Sequence, residues 1–276
     1  MPGHGRVRPG RPARGVEGVP VLIGTSGWHY QHWRGGFYPA GLPASKWLAH
    51  YAARFETVES NSAFYRLPEA TTFAGWAAAL PEGFVFALKA SRYLTHIRRL
   101  KDPREPVQRM VERASHLGAK LGPVLVQLPP TLGPDPGALE EALAAFPAGM
   151  RVAVEARHAG WFSVETRGVL ERAGAALCLA DGGPVEVPLW RTAPWGYVRF
   201  HRGRASPDSC YGTAALRRWA ERLARLWSEP EDVYVYFNND AHGCAVRDAR
   251  RFAGATARAG LRPTRVPGPR DTPLTG

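Results

Sequence analysis

The sequence predicts one α/β domain, a (β/α)8 barrel with a polar mouth at the C-terminal ends of its strands. Three observations predict it. Short runs of strand-forming residues alternate eight times with longer helix-like segments, which implies a parallel sheet. The runs turn polar where their strands must end, as where Val233–Phe237 meets Asn238, Asn239, Asp240 and His242. The chain has 276 residues, the size of one barrel of this kind.

The elements follow in order. Residues 1–18 are dense in Gly, Pro and Arg and read as a disordered basic tail. Val19–Gly24 is the first strand; it runs into Thr25–Tyr30, and an aromatic loop from Trp33 to Pro39 follows. Ser45 can cap a helix to about Arg54. Thr57–Asn61 is the second strand, with Phe64 and Tyr65 just beyond, and a helix covers about Glu69–Ala79. Phe84–Ala90 is the third strand, and Pro103–Leu117 a helix. Pro123–Leu128 is the fourth, closed by Pro129 and Pro130. Asp135 and Pro136 are an N-cap and a first helical residue. Arg151–Arg157 is the fifth strand, and a helix spans Val164–Ala173. Ala176–Asp181 is the sixth, and residues 182–194 are loop. Gly196–His201 is the seventh, with a helix over Ala214–Trp227. Val233–Phe237 is the eighth, with a helix over Ala245–Ala257. The domain therefore spans residues 19–260, and residues 261–276, again rich in Pro, Gly and Arg, read as a flexible tail.

The net charge is +12, but half of it lies in the ends. Four arginines stand against Glu17 in the first 18 residues, and four against Asp271 after residue 255. The remainder is spread thinly, so solvated ends explain the charge better than a phosphate-binding surface does. No run of about 18 apolar residues is present, so no membrane partner is expected, and the N-terminal stretch lacks the apolar core of a secretory signal. Cys178, Cys210 and Cys244 show no paired spacing. They suit a reducing cytoplasm with neither a disulfide nor a zinc site.

Strand side chains alternate between faces, so parity shows which groups point at the barrel axis. In the fifth strand Val152, Val154 and Ala156 belong under helices, which turns Glu155 and Arg157 inward. The same rule turns Glu59 and Asn61 inward on the second strand, Lys89 on the third and Gln127 on the fourth. It assigns Asp181 inward on the sixth with Leu177 and Leu179, Arg199 and His201 on the seventh, and Asn238 on the eighth. These groups sit near C-terminal strand ends, whereas earlier residues of the same parity are apolar or small. They converge on one mouth, as a binding or catalytic site or as a self-paired polar plug.

Glu155, Glu59, Asp181 and His201 are the candidates for acid–base chemistry, with Glu155 central. Lys89, Arg157 and Arg199 can hold a negative or oxygen-rich end. Arg157 is expected too far along the strand for a forced pair with Glu155. Asn61, Gln127 and Asn238 suit hydroxyl or phosphate oxygens. Trp28, Tyr65 and Trp161, from a rim that also holds Tyr30, Phe64, Phe162 and Tyr211, can stack on a sugar or a base. A metal held by Glu59, Glu155, Asp181 and His201 is open but disfavoured by three cations in the same mouth. No phosphate loop, dinucleotide fingerprint or nucleophile elbow is present, so no nucleotide cofactor is indicated.

Several segments taken together resemble the YecE-like proteins, a family of unknown function. They are Gly24-Thr25-Ser26-Gly27-Trp28 with Phe37-Tyr38-Pro39, Val58-Glu59-Ser60-Asn61 with Phe64-Tyr65, and Gln127-Leu128-Pro129-Pro130. Val154-Glu155 with Arg157-His158 and Trp161, Arg199-Phe200-His201, and Tyr236-Phe237-Asn238-Asn239-Asp240 complete the set. The likeness covers about residues 21–255. It implies a TIM-barrel fold, which has been loosely likened to sugar isomerases, and supplies no reaction. Three functions remain open at this point. One is an enzyme acting by acid–base chemistry on a small polar or anionic substrate. The others are a barrel that binds or processes nucleic acid and a non-catalytic ligand scaffold.

Overall fold

A computed structural model describes residues 18–228 and 231–271. The predicted N-terminal tail, Gly18 apart, lies outside the described residues, as do residues 272–276. Nine parallel strands form one curled, TIM-like sheet in the order β2-β3-β4-β5-β6-β7-β8-β1-β9. They are β1 Pro20–Thr25, β2 Thr57–Ser60, β3 Val85–Lys89, β4 Leu121–Leu128, β5 Val152–Ala156, β6 Ala176–Asp181, β7 Gly196–Phe200, β8 Val233–Phe237 and β9 Arg262–Pro263. The helices are α1 Trp47–Ala52, α2 Ser62–Tyr65, α3 Ala70–Ala79, α4 Arg104–Ala114, α5 Pro136–Ala144, α6 Val164–Arg172, α7 Thr213–Leu226 and α8 Cys244–Arg258.

The sheet is not the closed eight-stranded barrel that the sequence predicts. β1 and β2 lie side by side, but only the bridge between Ser26 and Glu59 joins them. Two features interrupt the ladder. The Tyr51 hydroxyl stands between the strands, accepting from the Thr25 amide at 2.9 Å and donating to the Thr57 carbonyl at 3.0 Å. Lower down, β9 takes the edge of β1 that β2 would otherwise use. Arg262 N–H donates to the Val19 carbonyl at 2.9 Å and Thr264 N–H to the Val21 carbonyl at 2.8 Å.

β9 also corrects the expected C-terminal tail. Residues 261–271 are tied down: Leu261 is buried, Arg265 donates to the Ala52 carbonyl and Asp271 pairs with Arg54 at 2.9 Å. Pro and Gly punctuation conceals a two-residue strand, because so short an element has no period to read.

The strand interiors explain the two layers of the core. Leu22, Ala87, Leu125, Ala153, Cys178, Tyr197, Tyr234 and Tyr236, drawn from seven strands, meet one another along the axis. Val58, Val124, Val126, Val152, Val154, Val198, Val233 and Val235 pack outward with the helices. Asp135 caps α5 as expected, accepting from Ala138 N–H at 2.9 Å. Ser45 caps nothing; it sits inside the short 3₁₀ turn Ala44–Lys46 that precedes α1.

β6 reverses the expected parity. Cys178 and Ala180 face the axis, while Leu177 and Leu179 lie under helices. Asp181 stands beside the outward Phe200 in the ladder and Ala180 beside the inward Arg199. Asp181 therefore leaves the predicted site; its carbonyl accepts from the Tyr211 hydroxyl at 3.2 Å. Both faces of β6 are apolar up to Ala180, so its sequence contains no contrast from which to read a direction.

Cys210 and Cys244 form a disulfide, against the expectation of three unpaired thiols. It ties the loop after β7 to the start of α8. The two cysteines belong to consecutive strand–helix units, and the pairing of β7 with β8 brings them together. Cys178 is buried and free. Among the described residues no helix is long and apolar enough to cross a membrane.

Candidate functional site

The mouth has two layers. The lower layer is built around Arg199, which sits on β7 two residues after Tyr197 and is 1% exposed. One guanidinium nitrogen donates to Glu155 Oε2 at 2.5 Å. Another donates to Glu59 Oε1 at 2.8 Å and to Ser26 Oγ at 3.1 Å. Glu59 accepts further from the Ser26 hydroxyl and from the Tyr197 hydroxyl, the latter at 2.6 Å. Glu155 Oε1 accepts from Gln127 at 3.1 Å and from Arg157 Nε at 3.0 Å. His201 Nε2 reaches the same oxygen at 3.1 Å.

The His201 tautomer follows from its partners. Asn238 Nδ2 can only donate, and it meets Nδ1 at 3.0 Å. The ring proton is therefore on Nε2, aimed at Glu155. Burial alone would raise the Glu155 pKa. Arg199, the His201 hydrogen bond and Arg157 outweigh it and hold the carboxyl well below the usual range. Burial and then the Glu59 charge push the Tyr197 hydroxyl well up.

Above this layer opens a cavity of about 660 Å³. Its charged lining is Lys89, Arg92, Arg157 and Arg199, without a carboxylate. Tyr30, Asn61, Phe64, Tyr65, His96, Gln127 and Asn238 complete it. Lys89 ends β3 with only 7% of its surface exposed, and its Nζ lies 3.8 Å from the centroid of the Phe64 ring. No described residue gives it a hydrogen-bonded or ion-paired partner. Burial, then Arg199, pushes its pKa down to about 8. Two buried polar atoms in the lining also lack a hydrogen-bond partner among the described residues, Asn61 Oδ1 and Arg199 Nε.

The structure thus brings together Glu59, Asn61, Lys89, Gln127, Glu155, Arg157, Arg199, His201 and Asn238, nine of the residues that parity selects. Arg157 does pair with Glu155, contrary to expectation. Residues two apart on a strand are roughly 6–7 Å apart, but an arginine stem is long enough to fold back over that distance. Trp28 is a core residue, edge-on to Trp76 and Phe86 at 5.4 and 5.5 Å. Trp161 is 1% exposed and donates to the Leu132 carbonyl at 2.8 Å. Neither tryptophan reaches the cavity, whereas Tyr65, 73% exposed, stands at its edge. Arg92 and Tyr197 belong to the site although sequence reasoning did not select them. Tyr197 shares the parity of Arg199, a usable signal; Arg92 lies beyond β3, where alternation no longer applies.

Among the described residues no group of three or more His, Cys, Asp or Glu side chains is arranged to hold a metal ion. A groove of about 740 Å³ also lies outside the barrel between α4 and α5, but its charged residues, Arg104, Glu112 and Glu141, are all exposed.

Residues 22–271 match the family described as protein of unknown function DUF72. The chain belongs to the DUF72 family. It is 28% identical over 245 residues to UPF0759 protein YecE of Escherichia coli K12, covering 79% of this chain and 86% of that one. It is 26% identical over 269 residues to UPF0759 protein YunF of Bacillus subtilis 168, covering 84% and 93%. The crystal structure of a DUF72 family protein from Thermotoga maritima MSB8 superposes with a TM-score of 0.75 at 27% identity, covering 85% of this chain and 98% of that one. The matched span contains both layers of the mouth.

Proposed function

We propose that the mouth binds a small anionic, oxygen-rich molecule, sugar-like or phosphorylated, and moves a proton on it. One observation carries this reading: the cavity lining holds four cations and no carboxylate. Glu59 and Glu155 are already used as counter-ions to Arg199 beneath it. An anion entering the cavity supplies the charge partner that Lys89 and Arg92 lack among the described residues. Asn61, Gln127 and Asn238 face its hydroxyl or phosphoryl oxygens, and Tyr65 covers one side. Lys89 is the group that takes or returns the proton, because its pKa of about 8 lies near neutral pH. Glu155 and His201 act from below, fixing Arg199 and Arg157. Isomerisation and hydrolysis both use such a proton.

The test is thermal unfolding with inorganic phosphate, pyrophosphate, ribose 5-phosphate and uncharged ribose. A ligand at about 100 times its Kd stabilises by roughly 2.7 kcal/mol. The three anions are expected to raise Tm, and ribose far less. Equal shifts from ribose, or none from any anion, would contradict the reading.

One observation favours a second reading, in which the anion is a phosphodiester of nucleic acid. The segment that brings Arg92 and His96 to the cavity also carries exposed Tyr93, Ile97 and Arg99. With Tyr65, this gives a basic and aromatic rim of the kind that stacks bases. Single-stranded oligonucleotides included in the same series would then bind, with an affinity that falls steeply with salt.

A further inference from the structure

We propose that Lys89 is an imine-forming amine and that the substrate class is an aldehyde or ketone bearing an anionic group. This rests on the reading of the mouth as an anion site and adds the bond that forms there.

The placement carries the argument. A buried lysine kept for charge balance would face a carboxylate. Among the described residues Lys89 pairs with none: Glu59 accepts from Ser26, Arg199 and Tyr197, and Glu155 from Gln127, Arg157, His201 and Arg199. Its Nζ is held against the Phe64 ring and turned into the cavity. The titratable and charged groups around it are Glu59 from β2, Arg92 and His96 after β3, Glu155 and Arg157 from β5, and Arg199 from β7. Burial, then Arg199, disfavours the ammonium form more than Glu59 and Glu155 favour it, so the free amine, the nucleophile, is reached near neutral pH. With a pKa of about 8, roughly a quarter of Lys89 is neutral at pH 7.5. Arg92, and Arg157 through guanidinium nitrogens other than the Nε that meets Glu155, can hold the anionic end of the same molecule.

The proton has a local carrier. His96 lines the cavity, and its Nδ1 meets Thr95 Oγ1 at 2.8 Å. Burial, then Lys89 and Arg92, pulls the His96 pKa down, so the ring is a neutral base near pH 7. Nζ adds to the carbonyl carbon, and the carbon–oxygen π pair moves to oxygen. Nitrogen releases one proton through His96 to that oxygen, giving the carbinolamine, and a second by the same route, so that the oxygen leaves as water. The nitrogen lone pair then forms the carbon–nitrogen double bond. One carbonyl and one amine give one imine and one water, with no change of oxidation state.

Reductive trapping tests this on the full chain. The protein is incubated with dihydroxyacetone phosphate, or with uncharged dihydroxyacetone, in cyanoborohydride and then digested with trypsin. The chain has four lysines, so Lys46, Lys101 and Lys120 serve as internal controls. An adduct on Lys89 blocks cleavage there and replaces peptide 67–89 with peptide 67–92. The phosphorylated probe is expected to label Lys89 at least ten-fold over the other lysines, and inorganic phosphate to suppress the label. Lys89→Arg is expected to give no adduct. Labelling that follows lysine exposure overturns the proposal. So does an unlabelled Lys89 in a protein that phosphate still stabilises, which leaves the anion site standing and removes the imine. If phosphate fails to stabilise as well, both readings fall.

Discussion

Arg199 and Lys89 are both buried cations on the axial face of the sheet, and they are held in opposite ways. Arg199 lies between two carboxylates and the Ser26 hydroxyl. Lys89 lies against a phenyl ring with no ion-paired partner among the described residues. Desolvation opposes both charges. For Arg199 the flanking Glu59 and Glu155 more than offset it, and the guanidinium is held charged. For Lys89 nothing offsets it in full, and the pKa falls to about 8. A saturated cation is part of the scaffold. An unsaturated one keeps its bonding capacity for something that arrives later.

The sharpest way to break this contrast is Arg199→Met. The change leaves Glu59 and Glu155 buried without their common partner, and the expected loss is about 3–5 kcal/mol. For a domain of this size that lowers Tm by roughly 10 °C. The Glu155 pKa is depressed in the fold, so its stabilisation is present above the ordinary carboxylate range and fades as pH falls below it. The gap between wild type and variant should therefore narrow in acid, as paired melting curves from pH 7 to pH 4 would show. A loss under 1 kcal/mol would mean that the network is not what holds the mouth.

Lys89→Met should act in the other direction. The folded pKa lies below the ordinary lysine value of 10.5, so the folded protein releases this proton before the unfolded chain does. Wild-type stability then rises between about pH 8 and 10.5, and below pH 8 the full cost of the buried charge is present. Removing the charge should stabilise by at most about 3 kcal/mol at pH 7, with no gain left near pH 10.5. Denaturant titrations at the two pH values would measure it, and destabilisation at pH 7 would show that Lys89 has a partner after all. The smallest expected effect is that of Tyr65→Ala. With 73% of Tyr65 exposed, stability should change by less than about 0.5 kcal/mol. Affinity for an oligonucleotide should fall by roughly 1–3 kcal/mol if a base stacks there, and affinity for phosphate should not. A Tyr65→Ala protein that binds oligonucleotides as tightly as wild type would remove stacking from the account.

Where a strand carried contrast, the sequence was readable. Val152 and Val154 against Glu155 in β5, and Val198 and Phe200 against Arg199 in β7, fixed direction, so both centres of the lower layer could be placed. β6 lacks that contrast, and Asp181 was assigned to the wrong face. The missed features depend on distance in sequence. β9 on β1, Tyr51 between β1 and β2, and Cys210 against Cys244 join units that no local pattern connects. Parity shows which way a side chain points but not what it meets. It found Glu155 and left unseen that four donors already occupy its oxygens. It also found Lys89 and left unseen that its charge is unmatched.

That mismatch is open to direct measurement. With only four lysines, the ¹³Cε and ¹⁵Nζ signals of selectively labelled protein can be assigned by single Lys→Arg substitutions. Titration should give Lys89 a pKa near 8, well below the ordinary lysine value of 10.5. Saturating phosphate should move it upward, because an anion supplies the missing charge. A Lys89 that titrates near 10.5 without phosphate and does not shift with it would contradict the account, since it would show an ammonium already paired in the empty mouth.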